Sequence, residues 1–136
     1  MKRILLAGII VICQFTAVFS QTRADDIIGF YLALTPTAKE KFQVEIFRTS
    51  NGTYEAKVVW TENQRIKQRL ETLQINNLSF DSGAKEWRNG KMAYDGSEYK
   101  LTAKFDNDGR LRLRGFLDIQ FLGKTMYWDK ERELRE

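Results

Sequence analysis

From residue 27 to residue 128 the chain runs in short stretches where apolar and polar side chains alternate, separated by glycine-bearing polar turns. A period of two is the mark of a strand with one buried face. Residues 42–49 show it cleanly, with Phe42, Val44 and Ile46 on one face and Gln43 and Glu45 on the other. The same reading predicts strands over 27–35, 53–60, 73–80, 86–94, 99–105, 110–119 and 124–128. Pro36, the single proline, closes the first of them.

Turn chemistry fixes two registers. A three-residue loop Ser50-Asn51-Gly52 pairs Ile46 with Ala56, Val44 with Val58, Phe42 with Trp60 and Glu45 with Lys57, keeping one face apolar. A two-residue loop would mix the faces. The same logic at Asn107-Asp108-Gly109 pairs Phe105 with Leu111, Ala103 with Leu113 and Asp106 with Arg110. Gly52 and Gly109 then take the positive-φ position that closes such a loop. Around Asp95-Gly96, loops of two or four residues both keep Met92 and Tyr94 on the face of Tyr99 and Leu101, so the length stays open. Residues 61–72 break the pattern. They are highly charged, with Ile66, Leu70 and Leu73 as a weak helical stripe, and read as a connector or rim segment with a helical turn.

About eight short strands with no helix long enough to cross between parallel neighbours make an all-β, antiparallel protein. So many strands must close or fold into a sandwich, and an up-and-down barrel of about eight strands is the simplest solution. Its interior is just large enough for side chains or one small ligand.

Composition adds a compartment. Met1-Lys2-Arg3 followed by an apolar run to Phe19 and the small Ser20 reads as a cleaved signal peptide over 1–20. The run is short for a membrane span and is interrupted by Gln14, so no span is expected after cleavage. Cys13, the single cysteine, lies mid-run behind Ile12, which does not fit a lipidation site. The expected order is a flexible polar lead-in at 21–26, one barrel domain at 27–130 and a charged tail at 131–136. Export to the periplasm or beyond follows from the leader.

Charge and chemistry mainly exclude. Without Lys2 and Arg3 the 22 basic side chains fall to 20 against 18 acidic ones, which gives no argument for nucleic acid. Histidine is absent, and the one cysteine lies in the leader, so histidine-based triads, Cys-His pairs and zinc sites have no ligands. Asp106, Asp108 and Gly109 resemble a fragment of a calcium loop, but Gly115 stands where the closing carboxylate belongs. The hairpin explains them better. Asp25-Asp26 reads as solubilising. Lys104, Arg112 and Arg114 share one face, read as the solvated outside. No metal, no cofactor and no catalytic residue is expected.

The binding candidates are Arg48 and Tyr54, which the register puts near one end of the apolar face, where a guanidinium and a phenol could hold a ligand carboxylate. Phe42, Trp60 and Tyr99 are the apolar lining that goes with them. The tryptophans Trp60, Trp87 and Trp128 are core or lumen residues first.

The order Trp87, Asn89-Gly90-Lys91, Tyr94-Asp95, Gly96, Glu98-Tyr99, Leu111, Arg114-Gly115-Phe116, Gly123-Lys124-Thr125 and Tyr127-Trp128 resembles the bacterial exported family called domain of unknown function 2147. Gly29-Phe30-Tyr31, Val44-Glu45-Ile46-Phe47 and Lys57-Val58-Val59-Trp60 extend the likeness over 26–128. Tyr31 stands where the family commonly has tryptophan, the loop at Asp95 is shortened, and the usual glycine near Asp118 is missing. The resemblance implies a small barrel like lipocalins and fatty-acid-binding proteins, in a Gram-negative envelope and without an established activity. Gly29-x-Tyr31 is similar to the Gly-x-Trp entry of such barrels, where a late basic residue, Lys130 or Arg132 here, meets the aromatic ring. The expected function is non-catalytic binding of a small, largely apolar or anionic molecule in the lumen. The alternative is a ligand-free barrel acting through its surface as an envelope interaction or stress-response module.

Overall fold

A computed structural model describes residues 22–36, 38–94, 96–116 and 124–136. The expected leader over 1–20, Asp95, and the joint near Phe121-Leu122-Gly123 with the end of the strand expected at 110–119 lie outside these residues. Eight strands form one closed antiparallel barrel in simple chain order. They are β1 (Gly29–Leu34), β2 (Lys41–Arg48), β3 (Tyr54–Thr61), β4 (Gln74–Asp81), β5 (Glu86–Tyr94), β6 (Ser97–Phe105), β7 (Leu111–Phe116) and β8 (Lys124–Glu131). Closure removes both sheet edges, which is how a chain this rich in strand avoids edge-to-edge pairing. β1 meets β8 through three pairs, Phe30 with Glu131, Tyr31 with Lys130 and Leu32 with Asp129.

The two reasoned hairpins form as the pattern requires. Ile46 faces Ala56, Val44 faces Val58 and Glu45 faces Lys57, while Phe105 faces Leu111 and Ala103 faces Leu113. Gly52 at φ +86° and Gly109 at φ +82° supply the left-handed turns. Tyr94 pairs with Ser97, so the β5–β6 loop is the two-residue form.

Phe42 does not pair with Trp60. β3 carries an extra residue at Val59, so Gln43 faces Trp60 and Phe42 faces Thr61. The bulge turns Trp60 to the outside and brings Thr61 in, where it is buried. Three consecutive apolar residues, Val58-Val59-Trp60, cannot all follow a two-residue period, and the bulge is how the strand resolves them.

A second irregularity is doubled. Between Tyr54–Leu78 and Ala56–Ile75, β4 takes three steps against two in β3. Between Trp87–Ala103 and Gly90–Leu101, β5 takes three against two in β6. Asn77 and Asn89 each sit at φ +63°, and the Asn77 side-chain amide donates to the Asn89 carbonyl at 3.1 Å. The two bulges lie side by side, which keeps Ile75 and Leu78 both facing inward.

The lead-in is not the flexible stretch expected. Ala24–Ile27 form a 3-10 turn packed beneath the barrel, with Ile27 fully buried. The charged tail expected at 131–136 is not free of the barrel: β8 runs on to Glu131, and residues 133–136 lie against Gln43 and Trp60. Residues 61–72 contain a 3-10 turn (Gln64–Ile66) and a one-turn helix, α1 (Lys67–Leu70). They are tied to the barrel by the buried Leu70 and Leu73.

Candidate functional site

The two ends of the barrel differ. At the lower end the 3-10 turn closes the base, and barrel side chains donate to three of its carbonyls. Trp87 Nε1 reaches Ala24 O at 3.1 Å, Lys130 Nζ reaches Asp26 O at 2.7 Å and Tyr31 Oη reaches Ile27 O at 2.8 Å. The free carbonyls of a short turn would otherwise be left unsatisfied against an apolar floor. Lys130 is the late basic residue: its ammonium lies 5.9 Å from the Tyr31 ring centre. Burial, with Asp26 adding to it, raises the Tyr31 phenol well above its ordinary pKa.

Arg48 and Tyr54 are cross-strand partners beside this floor. A carboxylate does lie between them, and it belongs to the chain itself. Tyr54 Oη donates to Asp25 Oδ1, and Arg48 Nη1 lies 3.4 Å from the same oxygen. Burial first, then the hydrogen bond to Asp25, pushes the Tyr54 phenol up to about 12. Asp25 is thus a positioned acceptor and not a solubilising residue. A recess of about 720 Å³ opens beside the group, lined by Arg23, Asp25, Arg48, Thr53, Tyr54 and Phe80 among others.

The interior is packed from this floor to mid-height. Tyr31, Val44, Ile46, Tyr54, Leu78, Trp87, Leu101, Leu111 and Leu113 each expose no more than 1 % of their surface. Phe80 and Phe105 pack against Trp87 with ring centres 4.9 and 5.7 Å apart. Toward the upper end the same inward-facing rows loosen. Val58, Tyr94, Tyr99 and Met126 point inward by alternation yet remain only partly buried. Phe42 and Met92 beside them are buried. The β3–β4 ladder stops at Lys57–Gln74, so the upper part of β3 is paired with β2 alone, and α1 packs against it there.

The five candidates therefore fall in three places. Phe42 and Tyr99 lie at the upper mouth. Arg48 and Tyr54 lie at the base, six residues along β2 from Phe42 in the case of Arg48, or roughly 20 Å away at strand rise. Trp60 leaves the lumen altogether because of the bulge at Val59. One ligand cannot span base and mouth through the packed middle. Sequence reasoning missed Asp25, whose only signal is its place among first-turn acids ahead of Gly29-x-Tyr31, and it missed Gln43, whose polar side chain looked merely solvated.

The family described as "Uncharacterized protein conserved in bacteria (DUF2147)" matches residues 32–130. The chain belongs to this family. No curated protein matches it. Among solved structures, this DUF2147 barrel is similar to one described as "Protein HP1028 from the human pathogen Helicobacter pylori belongs to the lipocalin family". The identity is 20 %, the TM-score is 0.62, and the match covers 79 % of this chain and 84 % of that one. At that identity the likeness concerns the fold, which is lipocalin-like.

Proposed function

We propose that this DUF2147 barrel is an exported, non-catalytic protein that holds a small, largely apolar molecule in the upper part of its lumen. The observation that carries the reading is a row of partly exposed apolar side chains at the upper end of the barrel. Inward-facing apolar side chains that solvent still reaches, Val58, Tyr94, Tyr99 and Met126, gather at the upper end, whereas Phe80 and Phe105, likewise partly buried, pack against Trp87 at the base. An apolar lining with a few polar groups is what a small-ligand site requires. Tyr99 and Tyr94 would give it hydroxyl donors. The non-catalytic reading draws on the chain's lack of histidine. The shifts at Tyr31 and Tyr54 also run against the phenolate a tyrosine nucleophile would need. Periplasmic or extracellular location rests on the leader-like residues 1–20.

Native mass spectrometry on protein purified gently from its own envelope tests the proposal. A discrete non-protein mass, lost on denaturation and reduced at least about tenfold when Val58→Trp fills the mouth, is expected. A bare chain that takes up nothing from a panel of lipids and small acids would overturn it. The packed lower half favours the second reading, a ligand-free interaction module, in that outcome.

A further inference from the structure

Outward strand positions on a small barrel face water, yet Gln43, which points outward, is fully buried. Its cover is the segment that follows β8. Gln43 Nε2 donates to Glu133 O at 2.8 Å and to Glu131 Oε1 at 3.0 Å, and Gln43 Oε1 accepts from Arg135 N at 2.9 Å. Its cross-strand neighbour Trp60 donates Nε1 to Glu136 O at 3.1 Å, with the Arg135 guanidinium 5.2 Å from the ring centre. Glu131 takes the same guanidinium at 2.6 Å.

Three of these contacts go to main-chain atoms, which every peptide possesses. The glutamine amide and the indole therefore read the main-chain path of the segment, which bends at residues 132 and 133, and not its side chains. Selectivity enters at one position, where an aromatic face and a carboxylate together suit a planar cation. We propose that Gln43, Trp60 and Glu131 form a docking slot for an arginine-bearing peptide segment of a partner protein. Residues 133–136 fill it in cis. A tethered segment competes at an effective concentration in about the millimolar range, so it holds the slot closed until a tighter segment arrives.

The test uses the full chain and a synthetic peptide with the sequence of residues 132–136, followed by nuclear magnetic resonance of the Trp60 indole and Gln43 amide protons. Arg135→Ala weakens the cis segment without touching the slot. Saturable shifts are expected in that variant at concentrations at least about tenfold below those needed with the unaltered chain, because the tethered competitor has been weakened. A peptide lacking its second arginine should fail, and Gln43→Ala in the Arg135→Ala background should abolish the response. Arg135→Lys, which keeps a cation, should fall between. Absence of saturable shifts in a folded Arg135→Ala chain, or equal response in all variants, would overturn the slot.

Discussion

Gly90 shows how one atom can decide a barrel's packing. A Cβ there would sit 2.6 Å from Leu78 Cδ2 and 3.0 Å from the Leu101 carbonyl oxygen, and the carbonyl cannot step aside. Gly90→Ala should therefore destabilise the fold by about 1–3 kcal/mol, read as a lowered urea midpoint with an unchanged slope. Tyr54 makes a prediction about pH. Its folded pKa, about 12, lies above the ordinary value of 10.0, so the fold favours the neutral phenol. That stabilisation is complete below about pH 10 and is lost as pH rises through about 12. Tyr54→Phe should lose some stability at neutral pH, about 0.5–1.5 kcal/mol for the hydrogen bond. It should also lose less than the parent as pH rises from about 9 through about 12.

At the scale of elements, hairpins were the most legible part of the sequence, because glycine at positive φ and one-sided apolar faces leave a single register for β2–β3 and β6–β7. Bulges were the least legible. Asn89-Gly90 is a dipeptide that elsewhere marks a hairpin tip, yet it lies within β5, and Val59 shifts Trp60 by one position with no polar residue to announce it. Arg48 and Tyr54 were correctly brought together by register. Their occupant, Asp25, lies 23 residues before Arg48 and meets it only through tertiary packing. The tail carries its own prediction. It reaches past the three-pair β1–β8 seam to β2 and β3, so it straps the strands on either side of that closure together. Gln43→Ala should cost about 0.5–1.5 kcal/mol by removing its hydrogen bonds to Glu133 O and Arg135 N, again measured by urea unfolding. The Glu131 carboxyl is held below its ordinary range, by the Arg135 hydrogen bond first. Its contribution is present above the unfolded glutamate pKa and fades as pH falls through the lowered value. Acid should therefore alter Trp60 fluorescence before it unfolds the barrel.

As a whole molecule the barrel is divided by height. The floor is built from the least exposed residues of the core and from five side chains, Tyr31, Arg48, Tyr54, Trp87 and Lys130, that meet one short turn. Amide exchange should be slowest in the lower rungs of β2, β6 and β7 and faster in upper β3, where the ladder to β4 has ended. Equal protection along β3 would contradict that division. The upper rows contribute little to this floor, which separates two burdens that many small proteins must place on the same residues. On the proposed ligand reading, substitutions at Val58, Tyr94, Tyr99 and Met126 would reshape the upper end while foldability is secured elsewhere. Were the proposed ligand held there, such an arrangement would let specificity drift without first acquiring compensating changes in stability.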